Sequence, residues 1–129
     1  MKNTIAAFAF VSLFVIASAA PPSVVDITQN DLEAAIANKS VTLLDANGSA
    51  SYREGHIPGA IDFFAHKDEI AKLLPADKNA LIVAYCANVH CPLYRQAAST
   101  AIDLGYTNVK HFAPGIQGWR DSGAKIEKN

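Results

Sequence analysis

Residues 80–92 read ALIVAYCANVHCP and join an apolar run to a short loop that contains both cysteines of the chain. The apolar run shows no polar alternation, which predicts a strand that is covered on both faces of its sheet. A helix is expected to follow from about Leu93 to Leu104, and Gly105 is expected to close it. A buried strand, a loop and a helix in this order are typical of an α/β protein.

Strand-like and helix-like segments alternate at short spacing through the rest of the chain, as in an α/β domain. Thr28 and Asp31 make a capping pair for a first helix, and Ile70, Leu73 and Leu74 are expected to face inward from a second one. The predicted elements are a helix between Ile27 and Val41, a strand over residues 41–45, a short helix over residues 67–74, a strand over residues 80–85, the helix from about Leu93 to Leu104, a strand over residues 108–112 and a last helical turn over residues 116–122.

The N-terminal segment has the pattern of a secretory signal peptide. Residues 1–19 carry one charge, Lys2, followed by an apolar run and by the small residues ASA at positions 17–19, which predicts cleavage after Ala19. The alternative is a membrane anchor, but the apolar run is shorter than the roughly 20 residues that a membrane-spanning helix needs. No other segment approaches that length, so no stable span is expected after cleavage. Residues 20–129 are therefore expected to form a single exported domain, periplasmic or secreted, in an oxidising compartment.

The charge balance argues against nucleic acid as a partner. The chain has 11 Lys and Arg against 12 Asp and Glu, with no run of like charge. Binding to nucleic acid needs a concentrated basic surface, so we expect no nucleic-acid partner. Two cysteines are also too few for a disulfide-stapled miniprotein, and the fold must depend on an ordinary apolar core.

Cys86 lies where a nucleophile is expected in such a fold. Ligands of open parallel sheets bind beyond the carboxyl ends of the strands. A helix that begins just after the loop directs its N–H groups and its positive dipole end at that place, and both lower the pKa of a cysteine. The alternative interpretation is a small apolar residue that ends a core strand.

Three segments together resemble a single-domain rhodanese, from about Val25 to Gly123. The resemblance implies an α/β fold with a five-stranded parallel sheet flanked by helices on both faces, and a nucleophile in the loop after a central strand. It is carried by LLD at positions 43–45 with YREGHIPGA at 52–60, by YC at 85–86 with AA at 97–98 and LGY at 104–106, and by GIQGW at 115–119.

The resemblance implies a sulfurtransferase that moves sulfane sulfur from thiosulfate or a persulfide donor to a thiol or cyanide through a persulfide on Cys86. It implies no cofactor, and the cysteine and histidine spacing considered below leads us to expect no metal. The partners would be a small sulfur-containing anion and a thiol acceptor, which can belong to a protein. Backbone N–H groups would hold the anionic sulfur, assisted by Arg95 and His90. The substrate-binding residues are then Ala87, Asn88, Val89, His90, Cys91 and Arg95.

The loop departs from the common rhodanese pattern in ways that leave alternatives open. It is extended by two residues, lacks glycine, and has Cys91 near the position of the usual arginine. In an oxidising compartment Cys91 could act as a resolving thiol that closes a reversible disulfide with Cys86. The second interpretation of the protein is therefore a noncatalytic exported rhodanese-like module, for binding or redox sensing, with a Cys86–Cys91 disulfide.

Other chemistries fit the loop less well. Cys86, His90 and Cys91 do not follow the usual structural zinc spacings. Pro92 stands where a cysteine-dependent phosphatase needs an arginine, and the C-x4-C spacing is not the C-x2-C motif of thioredoxins.

Several polar residues are expected to serve structure. Asp45 ends a strand on the ligand side and could orient loop groups, while His56 is expected to fix a turn through hydrogen bonds. Trp119 is expected to anchor the last helix in the core. His66 and His111 have no neighbouring ligands in sequence and are interpreted as surface or half-buried histidines.

Overall fold

The computed structural model describes residues 24–129, so the predicted signal peptide, residues 1–19, lies outside the described residues. Within the described part, the strands form one parallel sheet in the order β1-β5-β4-β2-β3. The elements are β1 (Val25–Asp26), α1 (Gln29–Ala37), β2 (Val41–Asp45), α2 (Ser49–Glu54), β3 (Ile61–Asp62), a 3-10 turn (Lys67–Glu69), α3 (Ile70–Leu73), β4 (Leu81–Tyr85), α4 (Tyr94–Asp103), β5 (Val109–His111) and α5 (Gly115–Asp121).

An apolar core covers each face of the sheet, and β4 contributes to both. Ile82 and Ala84 pack into the core on the side of α3 and α4. Val83 and Tyr85 pack on the other side, with α1 and α5. This alternation buries β4 on both faces, as its continuous apolar sequence predicts. The expected α/β fold, a five-stranded parallel sheet with helices on both faces, is confirmed.

The cap of the first helix also agrees with the sequence. The Asp31 N–H donates to Thr28 Oγ1 at 3.2 Å and satisfies a donor that the first turn of α1 leaves without a helical partner.

Helix α3 differs from its prediction in one detail. The sequence predicts that Leu73 faces inward, but the residue is 43% exposed, whereas Ile70 and Leu74 are buried. The segment begins as a 3-10 turn and has a single turn of α-helix, which leaves Ile70 and Leu74 on one face and turns Leu73 toward solvent.

Three short elements have no counterpart in the sequence prediction. Strands β1 and β3 have two residues each and are defined by pairing with β5 and β2, and α2 has six residues. Segments this short do not show the periodic spacing of apolar residues from which a helix or a strand is predicted. Over residues 24–129, no helix has the length and apolar character needed to cross a membrane.

Candidate active site

Cys86 directly follows the central strand β4, at the carboxyl edge of the sheet, and is 2% exposed. Strands β2 and β5 pair with β4 on either side, so the loops that follow these three strands meet around the cysteine. The structure therefore places Cys86 where the sequence predicts it.

Helix α5 holds the backbone of this loop. The N–H of Ile116 donates to the carbonyl oxygen of Cys86 at 2.9 Å, and the N–H of Gln117 donates to that of Ala87 at 3.0 Å. Gly115 lies against the same two carbonyls with a φ of +64°, and a Cβ atom there would come within 2.7 Å of the Ala87 carbonyl carbon. Glycine is needed at this position for both its conformation and its close approach.

The loop beyond Ala87 is a turn organised by Asn88. The side-chain Oδ1 of Asn88 accepts from the His90 N–H at 3.0 Å, and its backbone carbonyl accepts from the Cys91 N–H at 3.2 Å. Its Nδ2 donates to Gln117 Oε1 at 3.4 Å, which connects the turn to α5. Asparagine favours such turns because its side chain can bond to the backbone two residues later.

This turn changes which donors can face a substrate. The N–H groups of His90 and Cys91, expected in the sulfur-binding cradle, are instead bonded to Asn88. Among the described residues, no acceptor lies within hydrogen-bond geometry of the N–H groups of Ala87, Asn88 and Val89. The geometry thus leaves three of the five loop N–H groups available to an anion.

The turn also brings the two cysteines together. Cys86 and Cys91 form a disulfide in the structure, with their Cα atoms 6.2 Å apart. This separation lies within the ordinary range for a disulfide. Cys86 is buried and Cys91 is half-buried, so the structure shows the site in an oxidised state in which Cys86 is not a thiolate.

The two basic side chains that are expected to assist sulfur binding are both exposed. His90 is exposed on the turn. Arg95 is exposed in the first turn of α4, with its guanidinium carbon 5.8 Å from the ring centroid of Tyr94. Tyr94 in turn stacks on His111 of β5, so the Arg95 guanidinium lies near the end of that strand.

His111 ends β5 beside this loop, and its prediction as a surface or half-buried residue is wrong. It is 8% exposed, stacks on Tyr94 with ring centroids 3.4 Å apart, and places Nδ1 3.1 Å from Asp26 Oδ1. Burial lowers the pKa of His111, with a smaller lowering from Arg95, while Asp26 acts in the opposite direction. In the sequence, only the position of His111 at the carboxyl end of a predicted strand indicates that it lies near Cys86, and nothing indicates its contacts with Tyr94 and Asp26.

A buried polar network fixes the neighbouring strand ends. The Tyr85 hydroxyl donates to Asp45 Oδ2 at 2.7 Å and accepts from the Ile57 N–H at 3.0 Å. Asp45 Oδ1 accepts from the Asn47 N–H at 2.8 Å, so the carboxylate orients the loop after β2. Burial raises the pKa of Asp45, although the hydrogen bonds from Asn47 and Tyr85 oppose it.

His56 and Trp119 have the structural roles that the sequence predicts. His56 is buried, stacks on Tyr52 and has Nδ1 2.8 Å from the Tyr52 carbonyl oxygen. Trp119 is buried against Phe112, and its indole N–H donates to the Lys125 carbonyl at 2.8 Å. Among residues 24–129, no group of three or more His, Cys, Asp or Glu side chains could hold a metal ion.

Comparison with known proteins supports the same fold. Residues 28–122 match the family described as Rhodanese-like domain. An HTH-type transcriptional regulator of Mycobacterium tuberculosis is 36% identical over 90 residues, which make up 68% of this chain and 38% of the regulator. The chain therefore spans less than two fifths of the length of that relative.

Solved structures show the fold as well. A protein from Bacillus halodurans is 25% identical, with a TM-score of 0.63 over 81% of this chain and 77% of that one. The thiosulfate sulfurtransferase from Pseudomonas aeruginosa is 22% identical, with a TM-score of 0.65 over 84% of this chain and 20% of the enzyme. The match over residues 28–122, the parallel sheet and the cysteine loop after its central strand show that the chain belongs to the rhodanese family.

Proposed function

We propose that the protein is a sulfurtransferase that takes sulfane sulfur from thiosulfate or a persulfide donor onto Cys86 and passes it to a thiol or to cyanide. The observation that carries the proposal is the position of Cys86 at the carboxyl end of β4, in a loop whose backbone is held by α5. The N–H groups of Ala87, Asn88 and Val89 support it, because they can hold an anionic sulfur.

The reaction begins from the reduced site. The Cys86 thiolate attacks the outer sulfur of thiosulfate, a bond forms between the two sulfur atoms, and the bond inside thiosulfate breaks. Sulfite leaves with that electron pair, and Cys86 retains the outer sulfur as a persulfide anion. The total charge is −3 both for thiolate with thiosulfate and for persulfide anion with sulfite. Hydrogen-bond donors that stabilise anions therefore stabilise both the reactants and the products.

Export is part of the proposal. The signal-peptide pattern of residues 1–19 would place the domain in a periplasmic or secreted environment, where a Cys86–Cys91 disulfide persists until it is reduced. A mature N-terminus at Ala20 on the exported protein would support this localisation, and an uncut chain that remains inside the cell would contradict it.

The mass of the protein after sulfur loading tests the activity. The protein is reduced, freed of reductant under anaerobic conditions, mixed with thiosulfate and quenched with acid within seconds. We expect a gain of one sulfur atom on the peptide that contains Cys86, together with one sulfite per chain. Cys86→Ser should give neither product, and Cys91→Ser should give both. If thiosulfate leaves the reduced wild type unchanged and releases no sulfite, then thiosulfate transfer is excluded.

The alternative is a noncatalytic module for binding or redox sensing. The disulfide favours it, because it occupies the sulfur atom that catalysis needs. It predicts that reduced protein takes no sulfur from thiosulfate or from a small persulfide, while the two thiols still oxidise and reduce reversibly.

A further inference from the structure

We propose that Cys91 resolves the Cys86 persulfide inside the protein and releases its outer sulfur as hydrosulfide. The protein would then convert thiosulfate into sulfite and hydrosulfide at the expense of a dithiol reductant. This inference rests on the persulfide of the proposed function. It adds a route by which sulfur leaves without an external acceptor.

The contact between the two sulfur atoms is the first observation. The Asn88 turn folds the chain back within five residues, and Cys91 Sγ bonds to Cys86 Sγ in the loop between β4 and α4. The Cys91 thiol therefore reaches the inner sulfur of a Cys86 persulfide. An attack there forms a disulfide, whereas an attack on the outer sulfur would only move the persulfide to Cys91.

The resolving step balances without an added oxidant. The Cys91 thiol attacks Cys86 Sγ, the Sγ–Sγ bond forms, and the bond from Cys86 to the outer sulfur breaks. The outer sulfur leaves with the electron pair and with the proton of the Cys91 thiol, as hydrosulfide. The sulfane sulfur gains two electrons, which the two cysteines lose as they become a disulfide.

The burial of the two cysteines sets the direction of the return step. Cys86 is 2% exposed, whereas Cys91 is half-buried at the surface of the loop. A dithiol reductant, on a small molecule or on a protein, would therefore attack the Cys91 sulfur and displace Cys86 as the thiolate. Its second thiol then attacks the mixed disulfide and frees Cys91, so the site returns to its starting state.

Three products of a single turnover test the inference. Reduced wild type and Cys91→Ser, both freed of reductant, are mixed with thiosulfate under anaerobic conditions. Sulfite, hydrosulfide and intact protein mass are then followed with time. We expect both proteins to release sulfite. Wild type should then release one hydrosulfide per chain and lose both free thiols, while Cys91→Ser should retain the added sulfur and release hydrosulfide at least tenfold more slowly.

The outcomes separate this inference from the proposed function. If neither protein releases sulfite or gains sulfur, the thiosulfate reaction of the proposed function is excluded, whatever the role of Cys91. If both proteins form the persulfide and release hydrosulfide at the same rate, or if the wild-type persulfide is as stable as that of Cys91→Ser, the resolving role of Cys91 is overturned.

Circular dichroism of Cys91→Ser checks that the variant is folded. Cyanide added after loading should give thiocyanate from Cys91→Ser in near one-to-one yield, and less from wild type as the delay before addition increases.

Discussion

His111 is a buried titratable side chain beside the cysteine loop. It is held between the ring of Tyr94 and the carboxylate of Asp26, and the guanidinium of Arg95 lies near enough to affect it. Burial and Arg95 favour the neutral imidazole, whereas Asp26 favours the charged form. The net lowering of the His111 pKa means that the folded protein resists a proton that the unfolded chain accepts.

We expect His111 to make the protein less stable in mild acid. An unfolded histidine has a pKa of about 6.5. The contribution of His111 is therefore complete above that pH, and it is lost as the pH falls through the lower pKa of the folded state. His111→Phe retains an aromatic ring against Tyr94 and cannot titrate. Urea unfolding from about pH 8 to about pH 5 should show a smaller fall in the free energy of unfolding for the variant. If the wild type instead gains stability in acid relative to the variant, then the effect of Asp26 on the His111 pKa exceeds that of burial, and the expected direction is wrong.

Helix α5 is the element that fixes the cysteine loop, because its first N–H groups bind the carbonyls of Cys86 and Ala87. Gly115 makes this contact sterically feasible, since a side chain there would overlap the Ala87 carbonyl. Gly123, just after the same helix, also has a positive φ, of +79°, but a Cβ atom there would meet nothing within 4 Å. The two glycines therefore separate the effect of backbone conformation from that of close packing.

We expect Gly115→Ala to impair sulfur uptake much more than Gly123→Ala. Both variants place an L-residue at positive φ, which costs about 1–2 kcal/mol. Only Gly115→Ala must also push α5 away from Cys86. Thermal unfolding and the rate of sulfite release from thiosulfate are measured for both variants. A loss of rate of at least tenfold is expected for Gly115→Ala, with a near-normal rate for Gly123→Ala. Equal rates in the two variants would show that the contact does not position Cys86.

The elements that the sequence predicts are those with an apolar pattern of their own. Strand β4 and helix α4 are long enough to show one, and Thr28 marks the start of α1. The edge strands β1 and β3 depend on pairing with distant residues, and no local pattern indicates them. Likewise, the sequence predicts Cys86 from its place after a strand, but it cannot show that Asn88 engages the N–H groups of His90 and Cys91.

The two apolar cores on either side of the sheet stabilise the fold, and the disulfide closes only the short loop between β4 and α4. Both proposed reactions need a reduced protein that is still folded. Reduction breaks one bond between residues five positions apart, and we expect the packing of α4 on β4 to survive it. A closed loop of that size removes little entropy from the unfolded chain, and the chain-entropy relation gives a stabilisation of about 2 kcal/mol.

We therefore expect reduction to lower the melting temperature of the wild type by about 10 °C without unfolding it at room temperature. Thermal unfolding is followed by circular dichroism with and without a dithiol reductant. Cys91→Ser is the matched control, since it has no disulfide to lose, and its melting temperature should be the same under both conditions and close to that of the reduced wild type. If the reduced wild type is unfolded at room temperature, the disulfide is required for folding. A catalytic cycle that reduces it at every turnover would then unfold the site, and both proposed reactions would be contradicted. A reduced form that keeps its native spectrum leaves Cys86 and Cys91 in a folded loop where thiolate, persulfide and disulfide can interconvert.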